Sequence, residues 1–303
     1  MAMDRSALGI VIGMEARKLA RATVTRVATI AALTLVTVTT AGGYAAAMHA
    51  GDTDMGRKAA SMVTSPGWDG YTGLGATSVS ATILLAVGVV MSWSVGREFT
   101  DGTIVGLFAI PPTLRTIATA KMVVTLSWAV LLGAGEAALL MTAGLLLGLG
   151  AAGAAGCFAT LLLVSVALGA GILPVMWAAT WWRGYLAGIG LTLAILVVTN
   201  LAAGFGLGAY TPWSIPVAWT MNHDDVSALL LVVPIAIAGQ IGIGILPDFA
   251  VSPADGLQTV ALRADEPPPA CAAALYLVMH EDVRRSPAVR AVADFFGEAL
   301  AGA

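Results

Sequence analysis

Residues 77–96 read Thr-Ser-Val-Ser-Ala-Thr-Ile-Leu-Leu-Ala-Val-Gly-Val-Val-Met-Ser-Trp-Ser-Val-Gly, a stretch without a single charged side chain. A helix needs about 20 mostly apolar residues to cross a ~30 Å hydrocarbon core. Only structures that satisfy their own backbone hydrogen bonds are stable there. The stretch therefore reads as a membrane span, closed by the charged pair Arg97-Glu98.

The same reading works outward in both directions. Val27–Met48 carries no charge and forms the first span, with Thr77–Gly96 the second. After Lys121 the chain stays apolar to Trp182, interrupted only by Glu136, which is too long for one crossing. The run Gly150-Ala-Ala-Gly-Ala-Ala-Gly156 divides it by a tight turn into spans over residues 122–148 and 157–181. Gly184–Ala209 is the fifth span, and Val226–Leu246 the sixth, with Pro234 as an expected kink.

Composition agrees. Of 303 residues 58% are hydrophobic and 11% charged, with mean hydropathy +0.87, whereas soluble domains carry about 25% charged residues. The fold class expected is an all-α membrane protein of about six transmembrane helices, with an amphipathic N-terminal interfacial helix and a small α/β cytoplasmic tail. Its parts are residues 1–26, a cytoplasmic amphipathic segment; 27–246, the six-span domain; and 247–303, the tail. A net charge of −3 argues against a nucleic-acid partner. His49, His223 and His280 stand far apart, and Cys157 and Cys271 have no metal-ligand spacing, so no metal or cofactor is expected.

Orientation follows the excess of Lys and Arg in cytosolic segments. Arg5, Arg17, Lys18, Arg21 and Arg26 precede the first span; Arg97, Arg115 and Lys121 lie between the second and third; Arg183 follows the fourth. The opposite side holds Arg57 and Lys58, offset by Asp52, Asp54 and Asp69. Both termini are expected in the cytosol and the protein in the plasma membrane. The first apolar run is too long, and starts too late, for a cleavable signal.

Two cytosolic segments can carry function. In residues 8–26, Leu8, Val11, Ile12, Glu15 and Leu19 share a helical face, flanked by Arg17, Lys18 and Arg21. This reads either as a helix lying in the interface, apolar side in lipid, or as a plain cationic anchor. Residues 96–121 mix Arg97, Glu98, Asp101, Arg115 and Lys121 with Phe99, Ile104, Leu107 and Phe108. Asp101-Gly102 allows a turn, Pro111-Pro112 stops a helix, and Thr113 can cap the next. A short, partly apolar helix there could dock into a soluble partner.

The order Glu98, Gly102-Thr103, Leu107, Pro111, Arg115 and Lys121 resembles the cytoplasmic loop of ABC transporter permeases of the ABC-2 type, over about residues 8–235. Leu114 departs from that pattern, where the family often has Ser or Arg. The resemblance implies a coupling helix gripped by an ATP-binding cassette subunit, a second permease chain as homo- or heterodimer partner, and export of a small amphipathic compound. It implies no catalysis in this chain. A phosphate-binding Gly-x-x-x-x-Gly-Lys-Ser/Thr is excluded, because none of Lys18, Lys58 and Lys121 follows a glycine.

Glu136 stands alone in the third span. A charged carboxylate at mid-bilayer costs about 2.5–3.5 kcal/mol on insertion scales. It can line a substrate path, or it can be a neutral hydrogen-bonding group between helices.

The C-terminal part has another character. Gly242-Ile-Gly-Ile-Leu-Pro-Asp248, the apolar run Leu275–His280, Arg284-Arg285-Ser286-Pro287 and the periodic Val289–Phe296 resemble the end of the effector-binding domain of LysR-type regulators, over residues 236–303. A gene fusion joined within Val232–Gly239 accounts for it; an unusual permease tail is the other reading. The rival function is a membrane-anchored regulatory or sensory protein, or an inactive fusion.

Overall fold

The computed structural model describes residues 5–49, 52–63, 65–103, 112–205, 207, 211–221, 257–261 and 276–280. The chain divides into two units, Met1–Leu246 and Pro247–Ala303.

The first unit is helical. Its elements are α1 (Arg5–Arg21), α2 (Thr23–Thr37), α3 (Gly43–His49), α4 (Asp54–Met62), α5 (Gly67–Thr100), α6 (Leu114–Leu146), α7 (Ala154–Gly171), α8 (Pro174–Trp181), α9 (Tyr185–Gly204) and α10 (Ile215–Met221). Five stretches are long and apolar enough to cross a membrane: Thr23–His49, Gly67–Thr100, Thr116–Leu146, Ala154–Trp181 and Tyr185–Ala202. They fall on the first five spans expected from the charge gaps. Val226–Leu246 and its Pro234 lie outside the described residues.

The boundaries have local causes. Between α2 and α3 one π-helical turn, Val38–Gly42, continues the same rod, as π-turns do when one residue is inserted into an α-helix. Gly148, Gly150 and Gly153 take φ of +86°, +77° and +102°, a left-handed backbone that glycine adopts without strain. They reverse the chain where the small-residue run predicts a turn. The fourth crossing is two helices, because Pro174 lacks an N–H and begins α8 at its first position.

α5 is the central helix. Of its apolar stretch 67% is buried, against 22% for Thr23–His49 and 28% for Tyr185–Ala202, which leaves the last two mainly on the outer surface of the bundle. It packs against α2, α6, α7, α8, α9 and α10. Lipid offers no hydrophobic drive between helices, so close approach at small residues matters. A Cβ on Gly96 would overlap the backbone nitrogen and Cα of Tyr185, and one on Gly88 would overlap the Thr192 side chain, so these two glycines admit α9. Ser92, Ser165 and Thr192 return their hydroxyls to the carbonyls of Gly88, Leu161 and Gly188 in their own helices, which satisfies them within the apolar interior. At the other end of the core, Tyr71 is wholly buried and donates to the Leu140 carbonyl at 2.8 Å. Tyr44 and Trp68 meet its ring edge-on, at centroid distances of 5.3 and 5.7 Å.

In α1, Val11, Glu15 and Leu19 are buried against the rest of the first unit. Val11 packs on Ile117 and Ala120 of α6, and Leu19 on Val90 and Val124. Ile10 and Met14 are the exposed apolar residues, while Arg17, Lys18 and Arg21 face outward.

In the second unit β1 (Leu257–Ala261) and β2 (Tyr276–His280) pair antiparallel, with Leu257 opposite His280 and Ala261 opposite Tyr276. β2 falls on the apolar run Leu275–His280. Two strands alone are marginal in water.

Candidate functional site

α5 leaves the bilayer through Trp93, Ser94, Arg97 and Glu98 and ends at Asp101. The Asp101 N–H bonds to the Arg97 carbonyl at 2.7 Å and the Gly102 N–H to that of Phe99 at 3.2 Å. Gly102 at φ +69° completes a left-handed helix stop that a side chain would strain. The Thr103 hydroxyl turns back to the Glu98 carbonyl at 3.4 Å. On the return, the Thr113 hydroxyl accepts from the Thr116 N–H at 3.2 Å and caps α6, as its sequence position suggests. Leu107 and Pro111 lie outside the described residues. The backbone of Arg115 lies in the first turn of α6, and its side chain is outside the described set.

At the base of this hairpin is a buried ionic node. Lys121, 6% exposed, donates to Glu15 Oε2 at 2.8 Å and to the Ser94 carbonyl at 3.3 Å, and pairs with Glu98 Oε1 at 2.8 Å. Glu15 holds Lys18 through Oε1 at 2.6 Å. Burial pushes the Glu15 carboxyl up, but the charge of Lys121 and the hydrogen bonds from Lys121 and Lys18 outweigh it and hold it below the usual carboxylate range. One lysine thus ties α1, α5 and α6 together where the hairpin begins and ends. Arg97 lies over the Trp93 ring at 4.7 Å and meets Asp101 through Nε at 3.5 Å. A cleft of about 280 Å³ opens beside the node, between the end of α1, the end of α5 and α6.

Of the residues singled out for the loop, the structure brings Glu98, Gly102 and Thr103 together at this base. It adds Glu15 and Lys121, whose partnership sequence reading missed. The available signal was Glu15 itself: a carboxylate on an otherwise apolar helical face needs a buried counter-charge.

Glu136 sits apart, in the middle of α6. It is 0% exposed and neither carboxylate oxygen has a hydrogen-bond partner among the described residues. Thr82 of α5 faces it, its hydroxyl already bonded to the Ser78 and Val79 carbonyls. The side chain lies within the helix bundle and not on its lipid-facing surface.

Comparison with known families separates the two parts of the chain. Residues 226–301 match the LysR substrate binding domain, a match that includes the whole of Val226–Leu246. No curated protein and no solved structure matches the chain. Residues 11–199, more than half the chain and all five described spans but the last few residues of the fifth, match the ABC-2 family transporter protein. The chain therefore belongs to the ABC-2 family of transporter proteins, as a multi-pass membrane permease component.

Proposed function

We propose that this chain is the membrane-spanning subunit of an ABC exporter, driven by a separate ATP-binding cassette subunit that grips the hairpin between α5 and α6. The observation that carries the reading is the buried node: Lys121 clamps Glu98, at the outgoing foot of the hairpin, to its own helix at the returning foot and to Glu15 of α1. Force applied to the segment between them reaches three helices at once, and α5 at the centre of the bundle is among them. Glu98, Gly102 and Thr103 shape the outgoing foot. Leu107, Pro111 and Arg115 complete the docking surface.

A second permease chain, identical or homologous, would complete the pathway. The cargo would be a small amphipathic compound. Glu136, buried and unpartnered on α6, would join the path once the bundle opens. Both termini would be cytosolic, with Val226–Leu246 returning the chain as the sixth crossing. The regulator-like match over residues 226–301 supports a fusion as the origin of the tail.

Co-purification tests the docking surface. Arg115→Glu should strip the cassette subunit from the detergent-solubilised complex while the permease stays at its normal membrane level. Glu98→Gln should weaken the association less. Retention of the cassette subunit by both variants would refute the assignment, and so would labelling that places residues 98–121 outside the cell.

A further inference from the structure

We propose that the cleft beside the Lys121 node seats the phosphate group of an anionic lipid headgroup from the cytosolic leaflet. The inference goes beyond the coupling role and does not require it.

The cleft is lined by both charged and apolar side chains. Lys18 and Arg97 are about half exposed, at 54% and 46%. Both retain donors. Lys18 spends one on Glu15, and Arg97 spends only Nε, leaving its two terminal nitrogens for an incoming anion. The carboxylates that line the same space, Glu15 and Glu98, are held by Lys121. Three cations and two carboxylates line the cleft, and Asp101 pairs with the third cation, Arg97, through Nε alone. A guanidinium and an ammonium converging on one space suit a phosphate, which accepts charge-assisted bonds from several directions.

Leu19, Val124 and the Trp93 ring also line the cleft. A free phosphate ester gains nothing from such a wall, whereas a headgroup carrying its glycerol and the first methylenes does. Height in the bilayer agrees. Trp93 stands where the second span ends, at the level of interfacial aromatic residues, and the outward cations Arg17 and Arg21 of α1 raise the local density of anionic lipid. Size agrees too: about 280 Å³ is at the low end of small-molecule pockets, roughly 300–1,000 Å³, which suits a headgroup better than a drug-sized compound.

The test is lipid retention by the full chain in phosphatidylcholine nanodiscs doped with phosphatidylglycerol, read by native mass spectrometry. Wild type should retain phosphatidylglycerol over phosphatidylcholine. Lys18→Gln with Arg97→Gln should lower that retention about tenfold, the loss expected for one or two charge-assisted bonds. Lys18→Arg should retain the lipid. Arg17→Gln with Arg21→Gln removes the same charge from the outer face of α1 and should change retention little. Equal losses in the two double variants would mean a diffuse charged annulus and overturn the seat. If soluble glycerol phosphate displaced the lipid at comparable concentration, the cleft would read phosphate alone and the lipid assignment would fall.

Discussion

Lys121→Gln removes the centre of the node while roughly keeping side-chain length. Breaking a buried ion pair by deleting one partner costs about 3–5 kcal/mol, because the remaining charge is left uncompensated. Here Glu15 keeps Lys18 at 2.6 Å, so Glu98, 13% exposed, is the carboxylate left bare. The expected loss is therefore at the lower end, about 3 kcal/mol, or a drop in melting temperature of about 6–12 °C for a chain of this size. The pH dependence has a definite sign. In the wild type Glu15 is held below its ordinary value, so its contribution is present above the unfolded-state value and fades as pH falls through the lowered folded one. In the variant Glu15 has lost Lys121, the larger source of that contribution. The gap between the two proteins should then narrow as pH is lowered through the carboxylate range. Thermal unfolding in detergent at neutral and mildly acidic pH reads both effects. Adding Glu98→Gln to Lys121→Gln should recover part of the loss. A single variant melting within about 2 °C of wild type, or a double variant no better than the single, would refute the node.

Other outcomes can be checked separately. Gly96→Ala places a methyl group on the backbone of Tyr185 and should lower stability by about 1–3 kcal/mol, seen as a lower melting temperature, with Gly190→Ala, which meets nothing within 4 Å, as the harmless control. Glu136→Gln should reduce transport in a whole-cell efflux assay while leaving the amount in the membrane unchanged; undiminished efflux would remove Glu136 from the path. Deleting residues 248–303 should spare both membrane insertion and transport, and loss of either would show that the regulator-like tail contributes to the permease.

The spans were legible because bilayer crossing is a constraint on composition, and composition is local. The charge gaps around Val27–Met48, Thr77–Gly96 and Gly184–Ala209 each fall on a described helix. The Thr113 cap was legible for the same reason, since its acceptor and donor are three residues apart. The node was not legible, because Glu15 and Lys121 are 106 positions apart and only packing brings them together. The direction of the α1 face was ambiguous as well. Val11 and Leu19 would suit lipid or protein equally, and what decides is that Ile117, Ala120 and Val124 offer a complementary surface. Nor does the apolar run before Trp182 reveal that Pro174 divides it, since the bounding charges mark only its ends.

The π-turn at Val38–Gly42 has a consequence for the first crossing. One surplus residue turns everything after it by about 100° relative to an unbroken α-helix. The two segments, α2 before the turn and α3 after it, are therefore phased independently. The first fits its stripe to α5 and α6, while the second aims Tyr44 at the Tyr71 ring. Excising a single residue from this turn would restore uniform winding and swing Tyr44 off the aromatic cluster, although every other contact of α2 would stay in place.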